Sequence, residues 1–176
     1  DLIAADNLVA ATGYNNGALF YDPTLPPFLN SLTAIEAGFG YWVKVNSGAT
    51  LTVEGVNLGG DFAKDLAGGW NLIGYWPESS QAPADAFASI ISADNLVAVT
   101  GYNNGALFFD PTSPPFLNSL TSMENGFGYW VKVNSAVPGF VYPSAGVAKQ
   151  SVSSFQETNP DIIKTSEFMF VNGVVN

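Results

Sequence analysis

The chain has 176 residues, with 15 acidic side chains against five lysines, no arginine, no histidine and a formal net charge of −10. Phosphate backbones and anionic membrane surfaces repel such a chain, so nucleic acid and acidic lipid fall away as partners. Composition is 47% apolar and 14% aromatic but only 11% charged, which suits a buried core, and the lack of cysteine and histidine removes disulfides, thiolate or Ser-His-Asp catalysis and zinc sites.

Asp1 to Ala5 reads as the tail of something whose start lies upstream. The chain opens without Met or a signal sequence, which points to a processing site or to a start within a longer protein. Leu8 to Tyr14 and Ala18 to Tyr21 are predicted strands joined by Asn15-Asn16-Gly17, where Asn-Gly supplies the positive φ angles of a tight hairpin. Asp22-Pro23 stops the second strand, because proline cannot donate to a ladder. Pro26 to Leu32 follows as an irregular loop whose Phe28, Leu29 and Leu32 are expected to plug one end of the core. Gly38 to Asn46 is a strand dense in aromatic and β-branched residues. Its alternation sets Phe39, Tyr41, Val43 and Val45 on one face and Trp42, Lys44 and Asn46 on the other. Thr50 to Val56 is predicted to pair back as a second hairpin.

Val56 to Gly69 is Gly-rich with little periodicity and reads as a joint. Trp70 to Trp76 is a new strand stopped by Pro77. Pro83 to Ile91 is the one helix expected, with Pro83 at an early position and Ala86, Phe87, Ile90 and Ile91 at helical spacing. Phe140 to Tyr142 echoes a closing strand. Pro143 to Lys164 is polar and Ser-rich, as a linker is. Ser166 to Val175 is strand-like again, with nothing after it to pair with.

The run from Ile3 to Ser47 is written twice. It returns from Ile91 to Ser135 at a constant offset of 88, and 38 of 45 positions are identical. The exceptions are Ala4/Ser92, Ala11/Val99, Tyr21/Phe109, Leu25/Ser113, Ala34/Ser122, Ile35/Met123 and Ala37/Asn125. Two such copies imply one fold used twice. The expected fold is mainly β: two tandem, near-identical small β-sandwich or barrel-like modules, with one short helix in the second. Residues 1–58 form the first module, 59–145 the second, and 146–176 a linker with a strand-like tail.

The second copy has a preamble, Gly69 to Ile90, that the first lacks. A first module without its opening strand leaves a sheet edge and an apolar groove open. The tail is the unassigned segment of suitable length. Phe168, Met169, Phe170, Val171, Val174 and Val175 are therefore the expected donor residues, and Leu8, Val9, Phe20, Phe39, Tyr41 and Val43 the expected acceptor residues. The tail can close its own first module, complete that of a neighbour and so build a filament, or begin a further domain of a longer protein.

Gly69-Trp70-Asn71-Leu72 and Gly126-Phe127-Gly128-Tyr129-Trp130 resemble the opening and closing strands of small β modules that recur in secreted and cell-surface proteins of bacteria and archaea. The resemblance covers the second copy and, from Ile3 onward, the first without its opening strand. It implies an architectural or adhesive part and carries over no catalytic residues.

Candidate chemistry is sparse. Asp22, Glu36, Asp110 and Glu124 could form carboxylate pairs of the glycosidase kind, but Asp22 and Asp110 stand before Pro-Thr and read as turn residues. Asn57, Asp61 and Asp65 offer oxygens to calcium without the Asp-x-Asp-x-Asp-Gly loop pattern. Tyr14, Tyr21, Trp42, Trp70 and Trp76 could stack on sugars, against the plainer reading of aromatic packing. Lys44 and Lys132 bring to mind lysine–asparagine crosslinks, yet each is better read as snorkelling past the Trp on its strand face. The sequence thus points to no enzyme, cofactor or metal. It points to a structural subunit of an extracellular filament or surface layer whose partner is itself, joined head to tail without membrane insertion. The alternative is an adhesive or carbohydrate-binding module within a longer secreted protein, with polysaccharide as partner.

Overall fold

The computed structural model describes residues 2–3, 6–49 and 58–143, together with the backbone of 167–170. The fold is mainly β and sandwich-like, with two four-stranded antiparallel sheets and a third sheet of two strands. In the first copy, β1 (Leu8–Tyr14) and β2 (Ala18–Tyr21) form the predicted hairpin, and β3 (Tyr41–Val45) pairs with the other edge of β1. In the second, β6 (Leu96–Tyr102), β7 (Ala106–Phe109) and β8 (Gly128–Val133) repeat that arrangement. Both central strands carry the same register shift, between Leu8 and Ala10 and between Leu96 and Ala98. The turns differ from expectation in one detail. The left-handed residue is Asn16 at φ 52°, and Asn104 at φ 54° in the twin, rather than the glycine that follows. Asparagine tolerates that conformation better than any other residue with a side chain.

Repeated polar side chains pin each sheet at its end. Asn7 donates from Nδ2 to the Ser47 carbonyl at 3.0 Å and accepts the Ser47 N–H at 2.9 Å. Asn95 does the same with Ser135 at 3.0 and 2.8 Å. The preceding Asp6 and Asp94 sit at φ 51° and 53°, which turns the chain into each central strand. Even the entry to the first sheet matches, because Asp6 and Asn7 donate to the carbonyls of Ile3 and Leu2 as Asp94 and Asn95 donate to those of Ile91 and Ile90.

Between the sheets, β4 (Lys64–Leu66) pairs with β9 (Val137–Phe140) to make the two-stranded sheet. The joint expected up to Gly69 is therefore partly strand: Lys64–Leu66 form one too short for periodicity to reveal, and Gly69 opens the next. Nor does the chain after β8 fold back on β8 as a hairpin; β9 crosses to β4, held there by the Asp65 carboxylate accepting the Gly139 N–H at 2.7 Å. The hairpin predicted at Thr50 to Val56 lies outside the described residues. Next, β5 (Gly69–Gly74) pairs along β8. The single expected helix is two short ones, α1 (Pro83–Ala86) and α2 (Ala88–Ser92), broken at Phe87, whose φ of −113° and ψ of 21° depart from helical values. That break lets Phe87 bury completely and stack on Phe140 at 5.4 Å.

The second copy accordingly holds the larger core. Tyr75, Trp76, Phe87, Phe140 and Tyr142 interlock through ring contacts of 4.5 to 5.6 Å between centroids, and Leu66, Ile73, Val99 and Val131 complete it. Among the described residues the first copy buries Ala11, Leu32, Tyr41, Val43 and Val45. Leu32 plugs the core as expected, but Phe28 and Leu29 do not. They are 84% and 54% exposed on a one-turn 3-10 helix, Pro27–Leu29.

Candidate assembly site

The remaining strand, β10 (Glu167–Phe170), lies against the free edge of β3 and completes the sheet order β10-β3-β1-β2. The other large sheet has the order β5-β8-β6-β7. Registers correspond as well as orders. Glu167, Phe168, Met169 and Phe170 stand opposite Lys44, Val43, Trp42 and Tyr41. Trp70, Asn71, Leu72 and Ile73 stand opposite Lys132, Val131, Trp130 and Tyr129, the same four positions moved by 88. A segment from far along the chain thus occupies on β3 the slot that β5 occupies on β8.

Of the expected donor residues, Phe168, Met169 and Phe170 lie in the strand, whereas Val171, Val174 and Val175 lie outside the described residues. Of the acceptor residues, Tyr41 and Val43 pair directly with β10 and are buried. Leu8 and Val9 belong to β1, one strand further in, and Phe20 to β2 at the opposite edge, so these three do not touch the slot. Phe39 has a different role: it bridges Ile73 of β5, the Gly40 N–H donates to the Leu72 carbonyl at 3.1 Å and the Gly74 N–H to the Gly38 carbonyl at 3.1 Å. The residues before β3 therefore stitch the first copy onto the outer edge of β5. That edge is no longer free.

The stitch explains a sequence feature that reading by composition missed. Gly38 has φ 76°, and a Cβ there would lie 2.7 Å from the Phe62 ring; its twin Gly126, at φ 85°, has open space. Identical glycines thus meet different demands. Lys64 also belongs here, with its ammonium 3.0 Å from the centroid of the Phe39 ring. Burial pushes this lysine down to about 8, against the opposing pull of the Glu36 and Asp65 carboxylates. With Tyr14, Asn15, Asn16 and Phe62 it lines a cleft of about 540 Å³ between the first copy and residues 62–73.

The opposite strand faces meet across the copies in a reciprocal pair. Tyr14 packs on Trp130 at 5.2 Å and Tyr102 on Trp42 at 5.7 Å, both with ring planes at 60°. Since Tyr14 and Tyr102 are equivalent, as are Trp42 and Trp130, this is the isologous pattern of a two-fold contact, made within one chain. It occupies much of the aromatic platform that a sugar would need. Trp76 is buried, and Trp70, edge-on to Trp130 at 6.3 Å, is the tryptophan most open to solvent. Lys132 reaches over the ring of its cross-strand neighbour Trp70 at 5.6 Å, rather than over Trp130 on its own strand.

The two aspartate carboxylates before Pro-Thr have structural partners, and the two glutamates are tied through their backbone. Asp22 accepts the Thr24 N–H and hydroxyl at 2.8 and 2.7 Å, and Asp110 accepts those of Thr112 at 2.7 Å each. These bonds hold both carboxyls below the usual aspartate range. The Glu36 and Glu124 N–H groups donate to the hydroxyls of Tyr41 and Tyr129 at 2.8 and 2.9 Å. Among the described residues no three His, Cys, Asp or Glu side chains cluster as metal ligands do, and no helix is long and apolar enough to cross a membrane. No protein family, curated protein or solved structure matches the chain.

Proposed function

We propose that the chain is a non-enzymatic structural subunit of an extracellular filament or surface assembly, built by donating its C-terminal strand to the first copy of a neighbouring molecule. The observation that carries this reading is the register of β10, which takes on β3 the place that β5 takes on β8. Within one chain the pairing closes the first sheet. It needs only a backbone and apolar side chains at fixed alternation, which the tail of a second molecule supplies equally well. Residues 144–166, when extended, reach about 75 Å, several times the roughly 19 Å width of a four-stranded sheet. Closure and exchange thus use the same bonds, and concentration selects between them. An extracellular setting is supported by the low charge and the Gly-, Asn-, Ser- and Thr-rich, cysteine-free composition.

Removing residues 166–176 is expected to abolish polymers seen by electron microscopy, and a peptide of residues 165–176 is expected to block growth of the full chain. Unchanged polymers from the shortened chain would overturn the reading. The cleft lined by Tyr14, Phe39, Phe62, Asn15, Asn16 and Lys64 favours a second role in holding polysaccharide. Titration with a panel of polysaccharides should then quench tryptophan emission through the Tyr14–Trp130 contact; no response across the panel removes that role.

A further inference from the structure

Each hairpin ends on an Asp-Pro bond, and the fold surrounds that bond with donors. The Asp22 carbonyl oxygen accepts the Leu25 N–H at 3.2 Å and Asn30 Nδ2 at 3.1 Å. Asn30 is fixed in return, since its Oδ1 accepts the Asp22 N–H at 2.9 Å, and its neighbour Ser31 accepts the Phe20 N–H on Oγ at 2.9 Å. Two donors set on one carbonyl oxygen are what stabilises negative charge as a carbonyl turns tetrahedral. The carboxylate of the same residue is a nucleophile already tethered to that carbonyl carbon. The leaving group is the Pro23 ring nitrogen, which has no N–H in the chain and departs as a secondary amine. In the twin, the Asp110 carbonyl has the same two donors, the Ser113 N–H at 3.2 Å and Asn118 Nδ2 at 3.1 Å. Its carboxylate differs. Thr112 occupies Oδ1 as Thr24 does in the first copy, but Ser113 Oγ also donates to Oδ2 at 3.0 Å. Leu25 stands in that place beside Asp22, and its side chain has no donor.

We propose that Asp22–Pro23 is an acid-activated self-cleavage site, and that Ser113 protects its twin, Asp110–Pro111. Asp22 Oδ2 attacks the Asp22 carbonyl carbon and forms a C–O bond, while the Leu25 N–H and Asn30 Nδ2 carry the charge that gathers on the carbonyl oxygen. The C–N bond to Pro23 then breaks as its nitrogen takes a proton from hydronium, which leaves a cyclic anhydride on Asp22 and an amine on Pro23. One water adds to the anhydride and opens it to two carboxyl groups. The sum is hydrolysis of one peptide bond. Acid favours the step twice over. It protonates the leaving nitrogen, and the Thr24 hydroxyl and N–H hold the Asp22 carboxyl below its usual range, so the ionised nucleophile persists as the pH falls. The cut separates the β1–β2 hairpin from the rest of the chain and leaves it on β3 by non-covalent contacts alone. None of this requires strand donation.

Both bonds lie in the same local sequence, Asp-Pro-Thr, so the denatured chain is an internal control. The full-length protein is held at the lowest pH at which circular dichroism shows the fold intact, and its fragments are weighed by mass spectrometry. Residues 1–22 and 23–176 should appear at least about fivefold faster than 1–110 and 111–176, the factor that one hydrogen bond on the nucleophile is worth. In urea at the same pH the two rates should converge. Equal rates in the folded protein, a preference for Asp110–Pro111, or a preference that persists in urea overturns the proposal. Exchanging the one differing side chain tests the cause. Leu25→Ser should slow the first cut and Ser113→Leu should speed the second, each about fivefold; Leu25 is exposed and Ser113 half-buried, so neither change cuts into the core. Rates indifferent to both substitutions would remove Ser113 as the protecting group and the proposal with it.

Discussion

The two copies differ at seven of 45 positions, yet their sheets are completed differently. In the second, the fourth strand is β5, joined to β6 by α1 and α2 and buried with them in one aromatic core. In the first, the fourth strand comes from the far end of the chain, and the buried set among the described residues is much smaller. Val131 is fully buried, whereas its twin Val43 retains 8% of its surface; Met123 is fully buried, whereas its twin Ile35 is 47% exposed. Equivalent positions of the two copies therefore need not be equally buried, whether the residue is shared, as at Val43 and Val131, or changed, as at Ile35 and Met123. What surrounds each copy sets its share of the core.

The strongest way to break this contrast is to remove Phe87. Phe87→Ala should cost about 3–5 kcal/mol, and amide hydrogen exchange should show the loss in β6 to β8 with little change in β1 to β3. Uniform loss across both sheets would mean that they unfold as one unit. Matched truncation of the twin valines sharpens the same point. Val131→Ala should cost about 2 kcal/mol and Val43→Ala less, read from denaturant midpoints of the two variants; equal costs would erase the difference in packing.

Paired glycine substitutions isolate the stitch between the copies. Gly38→Ala and Gly126→Ala both place a side chain at positive φ, at about 1 kcal/mol each. Only Gly38→Ala also presses on Phe62, so its melting temperature should fall further. The smallest effect concerns Lys64. Its pKa in the fold, about 8, lies below the unfolded value of 10.5. Between pH 8 and 10 the unfolded chain therefore binds more protons than the folded one, and stability should rise with pH across that window. Lys64→Met should flatten the rise; a parallel slope in the two proteins would place the titration elsewhere.

Much of this contrast could be read from sequence because it lies in what the two copies do not share. Both hairpins followed from Asn-Asn-Gly between alternating runs, a signal that is local and strong. Subtracting one copy from the other pointed to the outer edge of β3, and the backbone of Glu167–Phe170 pairs along that edge within the chain. Other features depend on distant partners. Lys64–Leu66 is three residues long, and only β9, more than 70 residues on, makes it a strand. Phe28 and Leu29 looked like core because they are apolar, but the bonds among Asp22, Asn30 and Ser31 aim them outward. Phe20 looked like acceptor surface, yet two strands separate it from the slot. Nothing in Gly38-Phe39-Gly40 distinguishes it from Gly126-Phe127-Gly128; its bonding to β5 is a tertiary event.

Because β5 already fills the slot on β8, β10 pairs on β3 and the valence of the molecule is set. If strands are exchanged as proposed, each molecule gives one strand and takes one, a bifunctional monomer whose chains lengthen but cannot branch. A variant without its tail keeps the vacancy and offers nothing onward, which makes it a chain stopper. Mean polymer length should then fall in proportion to the fraction of stopper added.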